Sequence, residues 1–135
     1  MQPYFDGMIT FVVVDSRGFD NDISEKIGFE PTKIIVKGQN VTSKCVAPYN
    51  IWQYHIEFDD NSFNSSLTSF SKHLLQFKDN IDDIVSKYER VGVNFYINTQ
   101  YGQFGFILSS KELVELSKLG LEVDFHFLSF GEVKE

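Results

Sequence analysis

The feature that most constrains the fold is a run of large apolar residues at helical spacing. Leu67, Phe70, Leu74, Phe77, Ile81, Ile84 and Tyr88 recur at intervals of 3, 4, 3, 4, 3 and 4 residues. That spacing draws a continuous stripe down one helix face, and such a stripe must be buried. A coiled coil would bury it, but the stripe lasts only three heptads and carries aromatic residues. Both properties favour a helix packed on a sheet. Lys78-Asp79-Asn80 mark a kink or a break into two helices, and Gly92 ends the segment.

The rest of the chain supplies that sheet. Met8 to Val14 is dense in β-branched residues and apolar on both faces, as expected of a central strand. Asp22 with Glu25 has the pattern of a capping box, and the short helix it opens closes at Gly28, the natural left-handed residue past a helix end. Thr32 to Lys37 read as a second strand after Pro31, and residues 38–50 read as a loop. Ile51 to Phe58 alternate: Trp52, Tyr54, Ile56 and Phe58 share one face, Gln53, His55 and Glu57 the other. Val93 to Thr99 alternate again, with Asn94, Tyr96, Asn98 and Gln100 on the polar side. Phe104 to Leu108 suggest a short strand. Ser109 and Glu112 form a second capping box for a helix that closes at Gly120. Leu121 to Phe127 end the pattern, with Glu122, Asp124 and His126 polar.

The expected order is β-α-β-β-α-β-β-α-β. This predicts an α+β fold, a largely antiparallel sheet with helices packed on one face. Its first six elements match a ferredoxin-like βαββαβ core, extended by a further β-α-β. At 135 residues, the chain is expected to form a single domain spanning 1–135. Ile23-Ser24 leading to Ile27-Gly28-Phe29-Glu30 echoes Leu116-Ser117 leading to Leu119-Gly120-Leu121-Glu122, which either a duplicated unit or two helices ending in the same cap chemistry would produce.

Several of these residues together resemble a known family. Ile27-Gly28-Phe29-Glu30-Pro31-Thr32, Lys37-Gly38 and Trp52 are similar to the first half of the bacterial DUF4279 family. Phe104-Gly105-Phe106-Ile107-Leu108-Ser109, then Leu113, Leu116, Leu119-Gly120 and Val123-Asp124-Phe125, resemble its second half. The resemblance spans nearly the whole chain and implies a small bacterial α+β domain. Its motifs are caps, turns and core positions, so it implies no catalytic residue. It favours a stand-alone accessory protein over a metabolic enzyme.

Charge narrows the partners. Nineteen acidic and twelve basic residues give a net charge of −7, and residues 51–135 hold thirteen of the acids against seven bases. Such a surface repels phosphate backbones, so nucleic acid is not an expected partner, whereas a basic protein is. No segment approaches the ~20 apolar residues of a membrane span. The run Met8 to Val14 lacks a basic flank and reads as a strand rather than a signal peptide, so a reducing cytoplasm is the expected location. Cys45 is the single cysteine, which excludes an intrachain disulfide. It lies beside Lys44 with no histidine near in sequence, and reads as an ordinary thiol. Asn40-Val41-Thr42 and Asn64-Ser65-Ser66 match the glycosylation pattern, a short one that arises often by chance.

No catalytic motif is present: no phosphate loop, no GxGxxG, HExxH, CxxC or GxSxG. The acids of Asp15 to Asp22 lack calcium-loop spacing and read as a turn. No cofactor, metal ligand or catalytic residue is assigned. His73 lies off the stripe and reads as a solvated residue. His55 alternates with Glu57, and His126 with Asp124; if their strands are neighbours, two imidazoles and two carboxylates converge on a possible cation site. The main expectation is different. Gln53, His55, Glu57, Asn94, Tyr96, Asn98, Glu122, Asp124 and His126 form a polar sheet face opposite the helices, suited to binding a polar or basic surface. The function expected is therefore non-catalytic protein binding, of the immunity or antitoxin kind. The alternatives are a metal-binding protein or enzyme using His55 and His126, and homo-oligomerisation through a sheet edge or the long helix.

Overall fold

The computed structural model describes residues 3–19 and 22–133. Asp20 and Asn21, part of the expected turn before the first helix, lie outside the described residues. The elements run β1 (Asp6–Asp15), α1 (Ile23–Ile27), β2 (Lys33–Ile35), β3 (Asn50–Asp59), α2 (Phe63–Gln76), α3 (Lys78–Lys87), β4 (Arg90–Tyr101), α4 (Ser110–Lys118) and β5 (Glu122–Glu132). The fold is α+β: a five-stranded, mixed and largely antiparallel sheet with four helices.

The strand order is β2-β3-β1-β4-β5. β1 pairs antiparallel with both β3 and β4, β2 pairs antiparallel with β3, and β5 joins β4 in parallel. The parallel pair follows from the connection, since a crossover through α4 is long enough to return the chain in the same direction. β1 therefore lies at the centre, as its apolar character on both faces requires.

Odd-numbered residues of β1 define the inner face. Ile9, Phe11 and Val13 pack there with Trp52 and Phe58 of β3 and Val93, Phe95 and Ile97 of β4. Every helix contributes to the same core: Ile23 and Ile27 from α1, Leu67, Phe70 and Leu74 from α2, Ile81 and Ile84 from α3, and Leu116 from α4. The helical stripe thus packs against the sheet. It does so on two helices, because Phe77, at φ −112° and ψ 27°, leaves the helical region between them. The break comes one residue before Lys78-Asp79-Asn80, and Phe77 is the stripe residue that is only half-buried.

Three local expectations are corrected. Asp22 does not cap α1 with its side chain. Its carboxylate instead accepts from Lys26, Lys87 and the Tyr88 hydroxyl, tying α1 to the end of α3. Residues 103–109 form no strand. Phe104 and Phe106 instead turn their rings onto Phe5, 5.6 and 6.1 Å away, in a cluster that includes Phe63 and Phe127. Aromatic burial there replaces ladder pairing, since β5 already occupies the free side of β4. His73 is not a solvated residue: its ring stacks on Phe29 at 3.8 Å, and its Nε2 lies 2.9 Å from the Ile27 carbonyl. Asn64 lies in α2, where its amide donates to the Ile107 carbonyl and the Glu112 carboxylate.

Gly92, in addition, does not end the helical segment: α3 closes at Lys87 and Gly92 lies within β4. Three cap positions are as the sequence predicts. Ser109 and Glu112 form a reciprocal capping box. Gly28 and Gly120, at φ 75° and 68°, adopt the left-handed conformation after α1 and α4.

Candidate functional site

The sheet's outer face is built by strand alternation and is uncovered by any helix of the core. Register arranges it in rungs. His55, Thr10, Asn94 and Asp124 share one rung, and Glu57, Met8, Tyr96 and His126 the next. Gln53, Val12, Gly92 and Glu122 precede them, and Asp59, Asp6, Asn98 and Leu128 follow. All nine residues singled out from the sequence therefore lie on one face.

The two histidines do not meet. His55 is on β3 and His126 on β5, with β1 and β4 between them. At ~4.8 Å per strand spacing they are roughly 14 Å apart. His126 instead stacks on Tyr96, ring centroids 4.9 Å apart and 15° from coplanar. The His55 backbone N–H donates to the Thr32 hydroxyl at 2.9 Å. Among the described residues, no three His, Cys, Asp or Glu side chains are grouped to hold a metal ion.

The centre of the face is tight. Thr10 and Asn94 are buried between larger neighbours, and the Asn94 amide donates to the Tyr96 hydroxyl at 3.3 Å. Charge is distributed unevenly. Arg90, paired in register with Val14, projects from the same face. Its Nε lies 3.1 Å from a Glu122 oxygen, and its Nη2 donates to Asp124. Those two acids share one guanidinium, so the trio keeps a single net negative charge. Among the described residues, Asp6 and Glu57 have no ion-pair partner; they lie at the other end of the face and flank Met8 and Asn98 around a shallow hollow of about 540 Å³. Asp59 also lines it, with one oxygen committed to the N–H groups of Asn61 and Ser62.

Arg90, Asp6 and Asp59 were missed by the sequence reading. Extending the alternation of β4 two residues back, through Gly92, reaches Arg90; extending β1 from Met8 reaches Asp6. The strands are longer than their apolar cores, and it is their polar ends that carry these charges.

Away from this face, three carboxylates are held below their usual range. Burial acts most strongly on Asp15 and pushes it up, but the Arg17 backbone N–H and guanidinium and the Glu89 N–H more than reverse that. At Asp22, burial is again opposed and outweighed, here by Lys87 and Lys26. At Glu112, the Ser109 N–H and the Asn64 amide do the same. These groups fasten strand and helix ends together and lie outside the sheet face. Cys45 is an exposed free thiol in the loop between β2 and β3.

Among the described residues, no helix is long and apolar enough to cross a membrane. No curated protein and no solved structure gives a significant match to the chain. A family model does match, over residues 6–129, from the first residue of β1 into β5. The chain belongs to the DUF4279 family, a domain of unknown function.

Proposed function

We propose that this protein is a non-catalytic binding protein, immunity- or antitoxin-like, which docks a basic protein surface on its bare sheet face. One observation carries the reading. The helices pack on the inner face, and the outer face carries Asp6 and Glu57, without an ion-pair partner among the described residues, beside the amide and aromatic groups of Asn98 and Tyr96. Amides and aromatic rings supply short-range contacts, while unpaired acids steer a positive partner toward them. The arrangement shifts the centre of binding away from Glu122 and Asp124, whose charge Arg90 partly offsets. A reducing compartment suits the exposed Cys45 thiol.

The finer fold reading belongs to the same proposal. The order β2-β3-β1-β4, antiparallel throughout, supports a ferredoxin-like βαββαβ core, here extended by α4 and β5.

The test compares three baits in parallel affinity purifications from cells: the wild type, Asp6→Lys/Glu57→Lys, and Lys72→Glu on the exposed side of α2. A basic protein retained by the wild type and Lys72→Glu, but lost by the double variant, is the expected result. Retention by the double variant with loss in Lys72→Glu would move the interface to the helices and end this reading.

A further inference from the structure

The two edges of the sheet differ. β2 is three residues long and carries Lys33, so it offers little to another strand. β5 is eleven residues long and contains no Lys or Pro, and among the described residues no strand pairs with its second side. Along it, Phe125, Phe127, Leu128 and Phe130 are 37%, 55%, 55% and 59% exposed. From Phe125 to Phe130 the strand bears no carboxylate, lysine or arginine. Unpaired backbone groups and exposed aromatic side chains thus occupy the same strand, in a chain whose net charge would otherwise keep copies apart.

We infer that β5 pairs antiparallel with β5 of a second copy of this chain, about a two-fold axis at His126. The register follows from the strand itself. Gly131 turns to φ 77°, and the β4–β5 register shifts at the same end. The regular stretch is therefore Glu122 to Phe130, whose central residue is His126. Centred there, Phe125 of each copy lies opposite Phe127 of the other on the inner face. On the outer face, Asp124 meets Leu128 and Glu122 meets Phe130, so no like charges oppose each other. Moving the axis to Phe127 would place Glu122 against Glu132. An isologous contact of this kind closes on itself and ends at the dimer.

The area is sufficient. At roughly 200 Å² per phenylalanine side chain, Phe125, Phe127 and Phe130 leave about 300 Å² exposed per copy. With Leu128 and the strand backbone, two copies would bury at most on the order of 1,000 Å², the lower end for a specific interface. The result is a ten-stranded sheet with the two polar outer faces side by side. This inference concerns the edge of the sheet and stands independently of any basic partner.

Sedimentation velocity tests it. The wild type is expected at twice its 15.6 kDa chain mass at micromolar concentration. His126→Glu and His126→Lys, each placing like charges opposite one another at the axis, should each weaken the dimer by about two- to fivefold. Mixing the two variants should restore a dimer, identified by native mass spectrometry as one copy of each. Lys33→Glu, at the other edge, should leave the dimer intact. A wild type that stays monomeric to its solubility limit would overturn the inference. So would a dimer indifferent to both His126 variants, a mixture that fails to form the mixed dimer, or a dimer lost in Lys33→Glu.

Discussion

Gly7 on β1 and Tyr96 on β4 approach so closely that a Cβ on Gly7 would lie 1.8 Å from the Tyr96 carbonyl oxygen. The obstacle is backbone rather than a movable side chain. The central ladder of the sheet is thus closed tightly where the acidic end of the outer face begins. Gly7→Ala must push β1 and β4 apart, and is expected to cost about 1–3 kcal/mol or more. Urea unfolding checks this, and an unchanged midpoint would mean that the strands separate without loss.

Leu74 and Phe77 belong to one stripe but differ in rank. Leu74 is completely buried beneath the sheet, whereas Phe77 lies half-buried at the break between α2 and α3. Leu74→Ala is expected to destabilise by roughly 2–5 kcal/mol, and Phe77→Ala by clearly less. Equal losses in thermal or denaturant unfolding would indicate that Phe77 closes the core as fully as Leu74.

Acid should destabilise the protein through Asp15, Asp22 and Glu112. Each is held below its ordinary value of 3.8, 3.8 or 4.5 in the folded chain. A depressed carboxylate contributes stability above its unfolded pKa, and that contribution is lost as pH falls through the folded value. The melting temperature is therefore expected to hold above about pH 5 and fall steeply below pH 4. Asp15→Asn should lower stability at neutral pH and flatten the acid-side loss. An equally steep fall in the variant would remove Asp15 from the account.

Arg90→Ala should hardly affect stability, within about 1 kcal/mol, because its pairs with Glu122 and Asp124 are solvent-exposed. It should nonetheless raise the association rate of a lysine-rich peptide with the sheet face, most clearly at low salt, by freeing two carboxylates. Stopped-flow fluorescence reads this. A slower rate in Arg90→Ala would argue that the guanidinium itself makes the contact.

His55 and His126, three strand spacings apart, are not expected to share a metal ion. Elemental analysis of the purified protein should find no stoichiometric zinc, and His55→Ala should leave the melting temperature almost unchanged. One zinc per chain, lost in both His55→Ala and His126→Ala, would require a different sheet.

The local elements were legible in the sequence because side-chain periodicity and cap chemistry are local properties. The stripe from Leu67 to Tyr88 located α2 and α3, alternation assigned Trp52 and His55 to opposite faces, and Gly28 and Gly120 marked two helix ends. Periodicity also identified the polar face, since a residue's side of the sheet depends only on its place in its own strand. Lateral order is different. Alternation in β3 and β5 reads the same whether they are neighbours or separated, so only the folded chain decided that β1 and β4 keep His55 from His126. Tertiary packing likewise gave Phe104 and Phe106 to an aromatic cluster instead of a strand, because β4 has only one free side and β5 fills it. It also set Arg90 against Glu122 and Asp124, partners thirty-two and thirty-four residues away, across a parallel pairing that no local pattern encodes.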